Sequence, residues 1–522
     1  MSLTLEDLIR YLSDPATYPH RPSSVEVIQT HISVVFIAGE LVYKIKKPIN
    51  LGFLDFTTPE RRAFYCTREV VLNSRFSHGI YLGVVPIVST PQGFQLGGEG
   101  PHVDTAVLMR RIAPQHLFVH MLANDQVTPD ILDRIADRIA ACHRGAESGP
   151  HIASFGSQAV IRHNIEENFE QTLPFVSRVV DPWTYEQTRR LSLEFLASKE
   201  QLFQRRVQGG FIRDCHGDLH LDHVVIENGV MLIDCIEFND RFRFGDTVSD
   251  LAFLLMDLEF SGYPSFSHRI ARRYQQVSDD ADLLELLPFY TSYRAYVRAK
   301  VWSFALDEPE MSESQKERAR EKARDYFRFS LACLQPRRPV LVVMTGLTGT
   351  GKSFLAQKLG QRLGIEPVRS DVVRKERFGL PPIATQLDNH AAQLYTPSAT
   401  ELTYETLLER AEASLRQGDS VILDATFLRY KHRQAARELA KRFGAVFRLL
   451  QCVAVDEVIP SRLAQRRARG NDPSDGTWEV YCIQKKQYDP LRNEEQEDLR
   501  VWDSTTDVKK FLRLFVREVI MA

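Results

Sequence analysis

Strand-length apolar runs alternate with helical repeats through the last third of the chain. Val340-Leu341-Val342-Val343-Met344 is continuously apolar, and a helical repeat follows it. Residues 420–423 and 447–454 are further apolar runs, and Ile365-Glu366-Pro367-Val368-Arg369 follows the first helix as a shorter strand-like stretch. Strand alternating with helix predicts an α/β domain with a parallel sheet, whose functional groups gather at the carboxyl ends of the strands. Upstream the pattern differs. Residues 34–38 and 41–46 alternate around Gly39-Glu40, a hairpin signal. Thr58 as cap and Pro59 as first residue open a helix that carries Glu69. In residues 313–328 the acids Glu313, Glu317, Glu321 and Asp325 each precede a base by three positions, which predicts a solvated helix face. That helix turns apolar at Tyr326, Phe327, Phe329 and Leu331 and breaks at Gln335-Pro336-Arg337-Arg338-Pro339. Two prolines flanking basic residues read as a linker, dividing the chain into units at 1–335 and 338–522.

Composition narrows the class without changing this division. At 522 residues, with 43% hydrophobic and 26% charged positions, the chain has the makeup of several packed globular domains. Lys+Arg 66 against Asp+Glu 68 leaves a formal charge of −2, so no global basic field draws in nucleic acid or an acidic membrane. No apolar run reaches the ~18 residues of a membrane span. The opening Met1-Ser2-Leu3-Thr4-Leu5-Glu6-Asp7 lacks a basic stretch ahead of an apolar one, and the expected location is the cytoplasm. Seven scattered cysteines without a CxxC pair read as reduced thiols rather than a zinc site.

The sharpest chemical signal follows the apolar run at 340–344. Gly346-Leu347-Thr348-Gly349-Thr350-Gly351-Lys352-Ser353 spells GxxxxGK[ST] between a strand and a helix. Glycines let the backbone aim its N–H groups at a β-phosphate, Lys352 reaches the β/γ oxygens, and Ser353 ligates Mg²⁺. ATP and Mg²⁺ are the expected cofactors, with Gly346, Thr348, Gly349, Thr350 and Gly351 forming the cradle. Asp371 and Asp424 both stand at expected strand ends. Asp424 fits a metal-holding carboxylate and Asp371 a base for an acceptor hydroxyl, although either aspartate suits the base role and both suit helix caps. Arg462, Arg466, Arg467 and Arg469 lie on a helical stretch after the run at 447–454. Arginines four apart on one face can close over transferring phosphates, the alternative being an exposed basic helix. GLTGTGKS, SDVVRK at 370–375, VILDAT at 421–426 and the Arg462/Arg466 pair resemble the polynucleotide-kinase-like branch of P-loop kinases. The resemblance implies Asp371 as the acceptor-side base, and Arg462 and Arg466 in a lid.

A second constellation stands in the first unit. Cys215-His216-Gly217-Asp218-Leu219-His220-Leu221-Asp222-His223 precedes Val224-Val225, and Met231-Leu232-Ile233-Asp234 follows. One carboxylate receiving a hydroxyl proton and another gripping a metal is what phosphoryl transfer needs. HGDxH followed by an apolar strand ending in Asp resembles the aminoglycoside phosphotransferase and choline kinase families. That resemblance implies an α+β bilobal kinase-like domain, with Asp218 as base, His216 orienting its loop and Asp234 as metal ligand. It also implies a phosphate-binding lysine on the strand 41–46. Lys44 and Lys46 share a face there, and Glu69 is the paired acid or an ordinary surface residue. Residues 105–112 would form the lobe connector, with Met109 against adenine or plain core. Asp246 and Asp250 would brace the catalytic loop. Arg294, Arg298 and Lys300 read as a solvated helix face, with a charged acceptor as the alternative. His223 departs from the pattern: it stands where the family has a metal-binding asparagine, and imidazole suits Mg²⁺ poorly.

Both halves together resemble a fusion of an aminoglycoside-phosphotransferase-like domain with a P-loop kinase domain. The implied activity is ATP-dependent transfer of the γ-phosphoryl to hydroxyl groups of small-molecule metabolites, with two candidate sites, one in each domain. Two alternatives are a single P-loop kinase governed by an N-terminal binding module, and a 5′-hydroxyl nucleic-acid kinase. The near-neutral charge and the lack of a basic and aromatic stripe weigh against nucleic acid as a partner.

Overall fold

The computed structural model describes residues 4–91, 93–308, 311–381, 394, 396–469, 474 and 476–522. They form two compact units, Met1–Asp257 with Ser267–Leu334 and Leu258–Phe266 with Gln335–Ala522. The short segment Leu258–Phe266 thus belongs in space to the second unit although it precedes the proline linker. A linker marks where the chain crosses; compactness follows contacts.

The first unit opens with an antiparallel sheet of β1 (Val25–Gln29), β2 (Ser33–Ala38), β3 (Leu41–Lys46), β4 (Tyr81–Thr90), β5 (Gly93–Leu96) and β6 (His102–Arg110). Their order is β1-β2-β3-β6-β4-β5. β2 and β3 pair from Ser33↔Lys46 to Ala38↔Leu41, turning at Gly39, whose φ of 66° suits glycine. One sheet face and the helix Leu5–Leu12 enclose Leu8, Leu12, Val34, Phe36 and Ile45. The helix Pro59–Asn73 starts where Thr58 accepts a hydrogen bond from the Arg61 N–H, and it packs on β6 and β4. Residues 105–110 lie within β6 rather than in a free connector, and Arg111 extends the strand by donating to the Glu40 carbonyl. A helical region follows, and its short ribbons hold the chemistry. β7 (Ile212–Asp214) pairs with β10 (Phe244–Asp246), and β8 (Val224–Ile226) pairs with β9 (Val230–Leu232). The stretch 215–223 spans the gap from β7 to β8, and Asp234 follows β9.

The second unit is a parallel five-stranded sheet in the order β12-β13-β11-β14-β15. Its members are β11 (Val340–Thr345), β12 (Val368–Arg369), β13 (Val421–Asp424), β14 (Val446–Val453) and β15 (Leu499–Asp503). Alternation along β11 serves two cores. Leu341 and Val343 join the layer with Leu407, Leu415 and Leu439, whereas Val340, Val342 and Met344 join Leu355, Leu359, Phe515 and Val519. A central strand covered on both faces reads as an unbroken apolar run, which is why 340–344 shows no period of two. β12 is shorter than the run at 365–369 suggests, because Pro367 lacks a ladder donor. With all strands parallel, Thr345, Arg369, Asp424, Val453 and Asp503 end at one edge of the sheet. No helix among the described residues is long and apolar enough to cross a membrane.

Candidate active sites

The second unit's site grows from the turn after β11. Gly346, Gly349 and Gly351 have φ of 134°, 81° and 97°. A methyl on Gly346 would stand 2.4 Å from the Cys452 carbonyl oxygen, so no other residue fits there. Gly346→Ala is therefore expected to cost at least about 1–3 kcal/mol and to weaken nucleotide binding, which thermal melts with and without ATP would show. Lys352 opens the helix Lys352–Leu363, and its ammonium donates to the Leu347 carbonyl at 2.8 Å. Asp424 is buried at the end of β13. Burial raises its pKa, opposed by Ser353, Lys352 and Arg369. Asp371 sits in the first turn of the helix Ser370–Arg377 rather than at its cap, with Arg374 Nη1 at 3.5 Å.

The arginines of the helix Ile459–Arg469 reach the same loop from above. Arg466 donates to the Gly476 carbonyl at 2.9 Å, and a methyl on Gly476 would meet both Arg466 Nη2 and Thr348 Oγ1. Arg462 holds Ser504, whose Cβ would lie 3.4 Å from a methyl on Gly351. Both arginines thus border the loop through intermediaries. Nothing is described of the Arg469 side chain. Gln484, which carries no sequence signal, accepts a hydrogen bond from the Thr348 N–H at 2.8 Å.

In the first unit, one buried acid gathers both lysines. Lys44 and Lys46 donate to the two oxygens of Glu69 at 2.9 and 2.7 Å. They differ beyond that acid. Lys44 also reaches Asp234 Oδ1 at 2.6 Å, while Lys46 is sealed in against Glu237. Of the two lysines, Lys44 therefore stands beside Asp234, two residues past β9. Glu69→Ala would take one of two carboxylates from each buried lysine, leaving Lys44 with Asp234 and Lys46 with Glu237, and we expect a loss of about 1–3 kcal/mol, read by urea unfolding of this unit. Met109 pairs with Val42 and Tyr81 across the sheet and packs with Ile80, Met231 and Ile233, an apolar bed ending one residue before Asp234.

The loop 215–223 is fixed from below by one carboxylate. Asp250 accepts from the N–H groups of His216 and Gly217 at 3.1 and 2.7 Å and from His143 at 3.1 Å. Asp246, expected beside it, pairs instead with Arg206 at 2.8 Å. His216 links the loop to the second carboxylate. Its Nδ1 accepts from the Asp218 N–H, and its Nε2 donates to the carbonyl of Ile233 at 2.8 Å. Burial pushes its pKa down to about 4, matching a neutral ring with one donor and one acceptor.

His223 then stands between the two carboxylates: Nδ1 is 3.7 Å from Asp218 Oδ2, and Nε2 is 3.7 Å from Asp234 Oδ2. Burial alone would raise the pKa of Asp218, but His220, His223 and Arg298 hold it well below the usual range. Asp234 is treated likewise, with Lys44 and His223 overcoming burial. Its φ of 60° is a left-handed conformation that aspartate tolerates, held by its N–H donating to the Tyr81 hydroxyl. The helix carrying Arg294, Arg298 and Lys300 is not a solvated face there. Arg294 donates to the Gly217 carbonyl at 3.1 Å, Lys300 to Asn168 at 2.6 Å, and Arg298 lies over Tyr326. Burial lowers Lys300 to about 8.

Two family models match this chain, "Phosphotransferase enzyme family" over residues 80–288 and "AAA domain" over residues 341–491. Uncharacterized protein Rv2004c of Mycobacterium tuberculosis is 32% identical over 457 residues, which cover 87% of this chain and 88% of that one. The chain belongs to that family, a phosphotransferase-like domain joined to a P-loop kinase domain. Among solved structures, a choline/ethanolamine kinase family protein from Mesorhizobium loti aligns over 63% of this chain and 99% of its own, at 13% identity and TM-score 0.38. A gluconokinase from Sinorhizobium meliloti 1021 aligns over 35% and 93%, at 16% identity and TM-score 0.26.

In the phosphotransferase-like domain the structure adds two residues that sequence reading passes over. Glu237 neutralises Lys46 from 191 residues away, and His220 lies 3.6 Å from Asp218 with its ring 3.8 Å from that of His223. Glu237 has no local signal. His220 had one, since HGDLH places it two residues past the aspartate. In the P-loop kinase domain Ser353 and Asp424 supply hard oxygen donors that fit Mg²⁺. In the phosphotransferase-like site the Asp234 carboxylate is paired with the His223 imidazole, a set that fits Mg²⁺ less well.

Proposed function

We propose that this chain is an ATP-dependent phosphotransferase with two sites, each passing the γ-phosphoryl group to a hydroxyl of a small molecule. The observation that carries this reading is the convergence of Asp218, Asp234 and Lys44 at one point, with Asp218 and Asp234 each 3.7 Å from His223. In this reading Lys44 would meet the ATP phosphates and Asp218 would take the proton of an acceptor oxygen.

In the P-loop domain the loop N–H groups and Lys352 would hold the β- and γ-phosphates. Mg²⁺ bound by Ser353 and Asp424 would neutralise charge on the phosphate oxygens. Asp371 would accept the acceptor's proton as its oxygen bonds to phosphorus and the bond to the ADP oxygen breaks. Arg466, beside Thr348, would offset charge on the transferring group, with Arg462 supporting the loop through Ser504. Lys352 must leave the Leu347 carbonyl to do its part.

Transfer of label from ATP into a panel of hydroxylated metabolites, by the full chain and by variants disabled at one site, tests the proposal. Two product sets that vanish separately with Lys352→Ala and Asp218→Asn would support it. If Asp218→Asn changes no product while Lys352→Ala removes all, the N-terminal domain only binds.

A further inference from the structure

We propose that the metal position of the phosphotransferase-like domain is built for a first-row transition cation such as Mn²⁺ rather than Mg²⁺, with His223 Nε2 as a nitrogen ligand beside Asp234 Oδ2. The inference rests on reading that domain as a nucleotide site, and it goes further by assigning the ion and a ligand.

The argument begins with the orientation of one ring. His223 Nδ1 lies 2.7 Å from the backbone carbonyl of Asp218, a partner that can only accept, so Nδ1 carries the proton. In the neutral ring Nε2 is then a bare lone pair. A ligating histidine is commonly held this way, its other N–H donated to a carbonyl that fixes tautomer and direction. Here the carbonyl belongs to the catalytic loop itself. The side chain keeps 13% of its surface, its ring 3.8 Å from that of His220 at a tilt of 36°, and so has little freedom to turn away.

What faces Nε2 is the second part. Asp234 spends Oδ1 on Lys44 at 2.6 Å, leaving Oδ2 on the His223 side. Nε2 and Oδ2 stand 3.7 Å apart, too far for a hydrogen bond. Metal bonds of about 2.1 Å from each donor span that gap with one ion. Two acceptor atoms at this separation can share one cation, and the donors select which. Mg²⁺ takes oxygen and holds its water, whereas imidazole favours the transition series. His220 does not compete as a ligand: its Nδ1 accepts from the Asp222 N–H, and its Nε2 faces Asp218.

The test uses the full chain carrying Lys352→Ala and Ser353→Ala, which silences the P-loop metal position, with Mn²⁺ and a non-hydrolysable ATP analogue. Pulsed electron paramagnetic resonance should show a nitrogen bound directly to Mn²⁺. Labelling only histidine with ¹⁵N should change that coupling, which excludes adenine as its source and needs no further variant. Adding His223→Asn should abolish it and lower the preference for Mn²⁺ over Mg²⁺ by about tenfold or more. Mn²⁺ bound with nucleotide but without histidine nitrogen coupling overturns this inference and leaves the nucleotide site standing. Binding of neither Mn²⁺ nor the analogue overturns the inference together with the reading of the domain.

Discussion

Asp218→Asn is expected to lower phosphoryl transfer by the phosphotransferase-like domain about 10²- to 10⁴-fold, the usual contribution of a positioned base. Asparagine keeps the shape but cannot take the acceptor's proton. Lys44 and Asp234, which would meet the nucleotide, remain paired with each other, so ATP affinity should change far less than turnover. The substitution also has a reporter. Burial opposes charge on His220, and the Asp218 carboxylate overcomes it, raising the histidine's pKa. Without that charge His220 should titrate at lower pH, which ring proton NMR would follow. A normal rate, or a His220 titration that does not move, would show that the carboxylate does not act where it is placed. The folded-state pKa of Asp218 lies below its ordinary value, so its charge stabilises the fold above that value and this contribution is lost as pH falls. A modest loss of stability at neutral pH should accompany the variant.

Lys352→Ala carries the second large effect, a loss of about 10²- to 10³-fold in transfer by the P-loop domain. Stability should move in the other direction from that of a paired cation. Burial lowers the pKa of Lys352, opposed by Asp424, so the fold disfavours its charge and removing it relieves a cost. We expect an unchanged or slightly raised melting temperature alongside the lost activity. An inactive variant that also unfolds would point to a structural lysine instead.

The two domains were unequally legible, for physical reasons. The P-loop is local: strand, turn and helix lie within consecutive residues, and its glycines answer to backbone sterics such as the Cys452 carbonyl against Gly346. The other site is assembled from distant segments. Period two placed Lys44 and Lys46 on one face but could not rank them, because their difference lies in Asp234 and Glu237, about 190 residues on. Asp250 and Asp246 looked alike by spacing on one helix start. Only the fold directs the first to the loop 215–223 and the second to Arg206. β15 escaped notice because an edge strand reading Leu-Arg-Val-Trp-Asp is half polar and lacks a buried run. The basic helix at 294–300 misled by composition: long cationic side chains bury their stems and still find acceptors such as the Gly217 carbonyl.

Counting nucleotides tests the central claim most directly. Isothermal titration of the full chain with a non-hydrolysable ATP analogue and divalent metal should give two molecules bound per polypeptide, falling to one in Lys352→Ala. A single molecule bound by the unaltered chain would contradict the account.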